Sequence, residues 1–308
     1  MEDWPRPLVA ANGPIRADKL DGAAEGMGEW GAEARALAAE GVVPPDMMTG
    51  LTLFLLSSQP RDPARSQEIP GGGGGVAGGV WVHEQFTIHR PLGREEPFTV
   101  RGESVGRYVR KGRRYGITRS ETFNGAGELA GTNLTTGLLQ YKVQEGLADS
   151  AEGLSPDDVP APVPDWSTAA GNPWRERLAA LRAGQTFDGA AVLVGLDLME
   201  ARDTKKPDNP IHSDPELARK AGLARPIAGG SHVLAFALEV LMGAAGRHSL
   251  LHGACFDIRW KAPVYADTVI HPHARVTEVQ TDRVVFDVDA TLEAGATAMV
   301  GQIVVPLA

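Results

Sequence analysis

Cysteine is nearly absent from this sequence: among 308 residues there is one, Cys255. A lone thiol excludes an intrachain disulfide and a cysteine-built zinc cage, and it fits a reducing, cytoplasmic setting. Long hydrophobic runs are missing too. The longest apolar stretch, Val233 to Ala245, is interrupted by Glu239 and is too short to span a bilayer, so it reads as a buried helix. The opening residues Met1-Glu2-Asp3-Trp4-Pro5 carry neither the basic start nor the apolar core of a signal peptide. Positive charge is scarce as well: a formal net charge of −9 and a pI near 5.4 argue against a broad nucleic-acid surface. No nucleophilic cysteine motif or Walker motif occurs. The glycine run Gly71 to Gly75 lacks a following Gly-Lys-Ser/Thr and reads as a loop.

What is present is an ordinary globular composition, 43% hydrophobic and 22% charged. The length suggests two domains of about 150 residues. Four prolines between Ser155 and Trp166 mark a semi-extended linker, because proline donates no helix or ladder hydrogen bond. The expected division is therefore a first domain over 1–150, a linker over 151–172 and a second domain over 173–308.

The two sides of the linker repeat each other weakly, with corresponding landmarks about 170 residues apart. Phe86 to Pro91, the alternating run Phe98 to Val109 and Gly127-Glu-Leu-Ala130 precede it. Ile258 to Pro263, Val269 to Val279 and Gly295-Ala-Thr-Ala298 follow it. Both units read as successive alternating strands joined by short turns. In the second, Ser231 to Ala245 is apolar on nearly every face, and such a helix must be wrapped by protein. In the first, Ala23 to Glu40 reads as one helix, and Val42 to Leu51 stands where a second begins.

The chemistry-bearing stretch is Asp208-Asn209-Pro210-Ile211-His212-Ser213-Asp214, followed about fifteen residues later by Ile227-Ala228-Gly229-Gly230 and the apolar helix. Pro210 fixes its own φ and pushes Asn209 out of helical geometry, so the pair aims His212 from a set bend. Ser213 or Asp214 is placed to cap a short helix beginning at Pro215. A Gly-Gly pair lets backbone approach a ligand closely and leaves the helix N-terminus open to a carbonyl oxygen.

These residues resemble the active-site segment of the MaoC-like (R)-specific enoyl-CoA hydratases, whose pattern is Asp-x-Asn-Pro-Leu/Ile-His and then Ile-Ala-His/Gln-Gly. The first half is similar to the FAS1-like dehydratase domain of two-domain MaoC proteins, through His89-Arg90-Pro91-Leu92 and the run from Gly116 to Gly127-Glu128-Leu129. The resemblance implies an α+β double hot-dog, two antiparallel sheets each wrapped around a central helix. It implies a hydro-lyase interconverting 2-enoyl and 3-hydroxyacyl thioesters, with no cofactor beyond the CoA of its substrate and no metal. In that reading His212 is the acid/base, Asp208 its carboxylate partner and Asn209 the orienting residue. Gly230 and Gly229 form the oxyanion hole, and Ile227 and Ser231 contact the substrate. The first domain shapes the acyl tunnel. The expected partners are an acyl-CoA and a second hot-dog chain, as a homodimer or heteromer, with no nucleic acid and no membrane.

Two positions depart from the family pattern. Five residues before His212, where the family keeps a catalytic Asp, stands Pro207, which has no titratable group; Asp208 and Asp203 are the nearby carboxylates. Gly229 stands where many relatives carry His or Gln. A thioester-binding partner subunit without turnover, and a hot-dog thioesterase, are the competing functions. Plainer readings also stand: His212 as a loop histidine on backbone carbonyls, His232 as a packed core histidine, and Gly230 as a close helix-to-sheet contact. His271 and His273 share a strand face but lack a third metal ligand nearby. The basic turn of Arg107, Arg110, Lys111, Arg113 and Arg114 is a solvated loop or a CoA phosphate contact.

Overall fold

A computed structural model describes residues 4–59, 80–139, 141–155, 158–169, 174–202 and 210–307. Gly71 to Gly75, Asp203, Pro207, Asp208 and Asn209 lie outside the described residues.

The first half opens with β1 (Arg6–Pro7), β2 (Ala11–Pro14), α1 (Ala17–Glu25), α2 (Ala32–Ala39) and α3 (Pro45–Ser57). It continues through β3 (Val80–Ile88), β4 (Pro97–Arg110), β5 (Arg113–Asn124), β6 (Leu129–Leu138) and β7 (Ser150–Gly153). After the proline-rich stretch come α4 (Trp166–Ala169), α5 (Arg175–Ala179), β8 (Thr186–Asp188), β9 (Val192–Val194), α6 (Leu196–Arg202), α7 (Pro215–Lys220) and α8 (Gly230–Ala245). The chain closes with β10 (Cys255–Trp260), β11 (Thr268–Val279), β12 (Arg283–Leu292) and β13 (Thr297–Pro306).

This is a double hot-dog: α3 lies against the strands of the first half and α8 against those of the second. β3 to β6 correspond to β10 to β13 in order and spacing, which is the repeat read from the sequence. The two sheets are continuous, because β3 pairs antiparallel with β10 to give the order β1-β4-β5-β6-β3-β10-β13-β12-β11-β8. At that seam Phe86 and Phe256 lie opposite one another and stack face to face, centroids 4.0 Å apart.

The linker crosses the outside of the seam. Thr87 Oγ1 donates to the Val163 carbonyl at 3.2 Å, and the Asp165 N–H donates to the Gly253 carbonyl at 2.9 Å. His89 Nδ1 meets Asp165 Oδ2 at 2.6 Å. At its start, β7 still pairs with β4, so the chain leaves the first sheet at Gly153. Cys255 is buried beneath the linker, and burial pushes its thiol up to about 12.

Helix α8 buries ten of its sixteen residues, as its all-round apolar character requires. Glu239 in its middle has a specific job: its two carboxylate oxygens accept the Glu33 and Ala34 N–H groups at 2.5 and 3.0 Å, capping the start of α2 from another element. The single helix expected over Ala23 to Glu40 is instead two. A 3₁₀ turn over Gly28–Trp30, with Gly28 at φ 58°, breaks it, and α2 restarts after Gly31. Lys111 and Gly112, at φ 52° and 69°, form the two-residue turn joining β4 to β5, the left-handed pair that matches strand twist.

Candidate active site

Pro210 to His212 forms one 3₁₀ turn, with the Asp214 N–H returning to the Pro210 carbonyl at 2.8 Å. Asp214, rather than Ser213, caps α7: its Oδ1 accepts the Glu216 and Leu217 N–H groups at 2.7 and 3.1 Å. Ile211 is buried with Ala218, Leu223 and Ile227 in a small apolar cluster that anchors the turn. The half-buried His212 side chain therefore projects from a fixed base.

Its orientation is set by one hydrogen bond. Nδ1 lies 2.6 Å from the Ile227 carbonyl, and a carbonyl only accepts, so Nδ1 carries the proton. Nε2 then presents a lone pair, and it has no partner among the described residues. The Ile227 N–H donates to the Ile211 carbonyl at 3.2 Å, tying the histidine turn to the segment that leads into α8. Ile227 itself is buried in the apolar cluster, so what it offers the site is its carbonyl.

The ring faces the tip of α8. A methyl group built on Gly229 would stand 4.0 Å from His212 Cε1, ordinary contact distance. Gly229 is the N-cap residue and, having no side chain, leaves the helix uncapped, so first-turn N–H groups stay available to an anionic or carbonyl oxygen. Gly230 is needed for a different reason. Trp260 from β10 lies across it, its Nε1–H donating to the Gly230 carbonyl at 3.0 Å, and a methyl group on Gly230 would come within 3.0 Å of Trp260 Cε2. Trp81 of β3 packs on Trp260 at 5.8 Å between centroids, bringing the first half to the same place.

Two further groups lie under the helix tip: Arg202, to which sequence reasoning gave no role, and His232, which it read as a packed core histidine. Arg202, the last residue of α6, pairs with the buried Asp46 of α3 and also reaches the Ser231 carbonyl at 3.3 Å. His232 is 1% exposed and its Nε2–H donates to the Gly26 carbonyl at 2.7 Å. Burial, reinforced by the nearby Arg202 charge, lowers its pKa to about 3, so it is a neutral core histidine and not a proton carrier. Ser231 is half-buried, and its backbone is engaged with Arg202.

At the rim, Arg113 stands over the Tyr141 ring at 5.3 Å and Arg225 over the Tyr265 ring at 5.7 Å. Tyr141 and Tyr265 both pack on the apolar cluster beneath His212. One arginine of the basic turn is thus beside the site.

Residues 207–297 match the family model of the MaoC like domain. Among solved structures, the chain is similar to a MaoC-like dehydratase from Phytophthora capsici, with 16% identity, TM-score 0.63, and coverage of 97% of this chain and 96% of that one. It is equally similar to a Mycobacterium tuberculosis protein with a double hot-dog fold, at 15% identity, TM-score 0.62, and coverage of 99% and 95%. A protein from Lactobacillus plantarum described as an oleoyl thioesterase shares the fold at 11% identity and TM-score 0.51, with coverage of 97% and 96%. No curated protein matches the sequence. Residues 207–297 are thus similar to the MaoC like domain, and the whole chain shares the double hot-dog fold of these structures. No helix among the described residues is long and apolar enough to cross a membrane.

Proposed function

We propose that this protein is a hydro-lyase that interconverts 2-enoyl and 3-hydroxyacyl thioesters of CoA. The observation that carries the reading is the His212 imidazole, fixed by the Ile227 carbonyl and facing the uncapped glycine tip of α8.

In the hydration direction the thioester oxygen lies at the helix tip, where the Gly230 N–H and the helix dipole stabilise the charge that develops on it. His212 Nε2 takes a proton from water as the water oxygen bonds to Cβ. The electron pair of the double bond moves onto the thioester as an enolate, which then takes at Cα the proton that His212 Nε2 removed from the water, so the imidazole returns to its starting state. Asp208 is the candidate for sharing the water with His212, and Asn209 for orienting the group; Pro207 removes the family's own carboxylate position. Arg113 and Arg225 fit the phosphates of the CoA carrier.

The test is the enoyl absorbance of a panel of enoyl-CoAs incubated with the purified full chain. Turnover that falls at least about a hundredfold in His212→Ala supports the reading, since a positioned acid/base contributes about that much or more. Release of free thiol without change in the enoyl band would assign a thioesterase instead. Tight binding of enoyl-CoA with no chemistry would assign the partner subunit, the function that Pro207 favours.

A further inference from the structure

The interiors of the two halves differ in chemistry. Under α8 the inward sheet residues Phe256, Ile258, Val288 and Ile303 are apolar, whereas under α3 the buried residues include Glu84, Asn133, Thr135, Thr118 and Ser120. Strand register puts Thr118, Thr135 and Glu84 side by side in one inward row that continues into Ile258 of the second half. The neighbouring inward row, about 7 Å along the strands, reads Gly116, Gly137 and Trp81. Trp81 packs on Trp260, and Trp260 lies on Gly230 at the helix tip.

Beyond Trp81, the two glycines of that second row leave a lane that no side chain of the described residues fills from the sheet. A methyl group built on Gly137 would meet nothing within 4 Å, and one on Gly116 would meet only Leu139, at 3.4 Å or beyond. The lane starts at the two tryptophans beside the His212 site and runs alongside the polar row.

Glu84 is the unusual member of that row. It is 0% exposed; its Oε1 accepts from Asn133 Nδ2 at 3.0 Å and Thr135 Oγ1 at 3.1 Å, while Oε2 has no partner among the described residues. Burial pushes the carboxyl up to about 8, so near neutral pH it is protonated, and Oε2 meets no acceptor among the described residues. A purely structural cluster has no need of such a group, because an isosteric apolar residue would fill the space without an unmet donor. No arginine or lysine among the described residues pairs with Glu84, so the row suits an uncharged oxygen and not a carboxylate.

We propose that the Gly116–Gly137 lane receives the acyl group and that Glu84, with Thr135 and Thr118, binds a hydroxyl or keto oxygen carried several carbons beyond the reacting bond. The substrate class is then an oxygenated acyl thioester and not a plain hydrocarbon one. This rests on the reading of the His212 site as a thioester site, but it is testable by binding alone.

Calorimetric titration of the full chain with saturated acyl-CoAs, stepped in length and paired as methyl-ended and hydroxyl-ended, gives the measurement. At one length the hydroxyl-ended ligand binds about tenfold tighter than its methyl-ended pair, the size of one neutral hydrogen bond in a dry site. Glu84→Leu abolishes that preference and Glu84→Gln, which keeps a donor, retains it. Should Glu84→Leu not fold, Thr118→Val reads the same preference, expected to shrink severalfold. Equal binding of both ligands at every length, or a preference that survives Glu84→Leu, overturns the proposal. Because these ligands cannot be hydrated, the result is independent of turnover: the preference can stand with the hydratase reading lost, and the hydratase can stand with the preference absent.

Discussion

Asp46, in the first turn of α3, and Arg202, at the end of α6, form an ion pair with 3% and 9% of their side chains exposed, joining the two halves directly behind the tip of α8. Arg202 also holds the Ser231 carbonyl, so the pair braces the helix that the site depends on. Removing one partner strands the other charge in a buried place. Asp46→Asn and Arg202→Met are each expected to destabilise the protein by about 3–5 kcal/mol, read from urea denaturation midpoints. The double variant is expected to cost less than the two single losses added together, since neither charge is then left alone.

Gly229 and Gly230 are adjacent yet constrained differently. An added methyl at Gly229 meets His212 at contact distance, whereas at Gly230 it runs into the Trp260 ring. Gly229→Ala is expected to fold normally and to change turnover less than tenfold. Gly230→Ala must displace Trp260 and is expected to lower stability by about 1–3 kcal/mol together with thioester binding. Thermal unfolding and ligand titration of the two variants side by side test this; equal behaviour would contradict the geometry.

Glu84 and His232 predict a pH profile with two flanks. The Glu84 carboxyl is raised from 4.5 to about 8 in the folded protein, so the folded state holds the extra proton. Its contribution is full below pH 4.5 and is lost as pH rises through 8. The His232 imidazole is lowered from 6.5 to about 3, so the unfolded state binds the extra proton. Its contribution is full above pH 6.5 and is lost as pH falls through 3. The two slopes oppose each other between pH 4.5 and 6.5, giving a plateau from these groups, with about 1.4 kcal/mol lost per pH unit on either side. Glu84→Gln is expected to abolish the loss between pH 6.5 and 8 and to extend the acid slope up to pH 6.5, whereas His232→Gln is expected to abolish the loss below pH 4.5 and to extend the alkaline slope down to pH 4.5, in denaturation curves taken across pH.

Glu239 gives a simpler forecast. Its carboxylate caps α2 across an inter-helix gap, and Glu239→Ala is expected to cost about 0.5–2 kcal/mol and to loosen α2 before the rest. Amide exchange at Glu33 and Ala34 would report it. Unchanged protection of both amides would remove the capping role.

Much of the fold was legible because it rests on periodicity. The helix of 231–245 is apolar all round, the strands alternate, and the repeat spacing announces two similar units. The meeting of His212 with the glycine tip of α8 was expected from the family resemblance that the motif carries, since nothing in the local pattern of either segment alone brings the two together. The break inside 23–40 was missed since alanine-rich helical preference outweighed Gly28 and Gly31, whose effect depends on the turn they form together. Glu84 was passed over because only strand register shows that it faces inward with Phe86 and Ile88, and a bulge at Trp81/His83 shifts that register. Asp46 and Arg202 are 156 residues apart, and nothing local in either segment signals the other. The roles expected of Asp208 and Asn209 lie beyond the described residues and rest on the motif.

The seam at β3 and β10 makes the duplication irreversible in a practical sense. Cutting the chain at the linker to obtain the MaoC-like half alone would expose the whole hydrogen-bonding edge of β10, with Phe256 and Ile258 behind it, as a template for stray strands. What began as two similar units has become a molecule that cannot be halved without inviting aggregation.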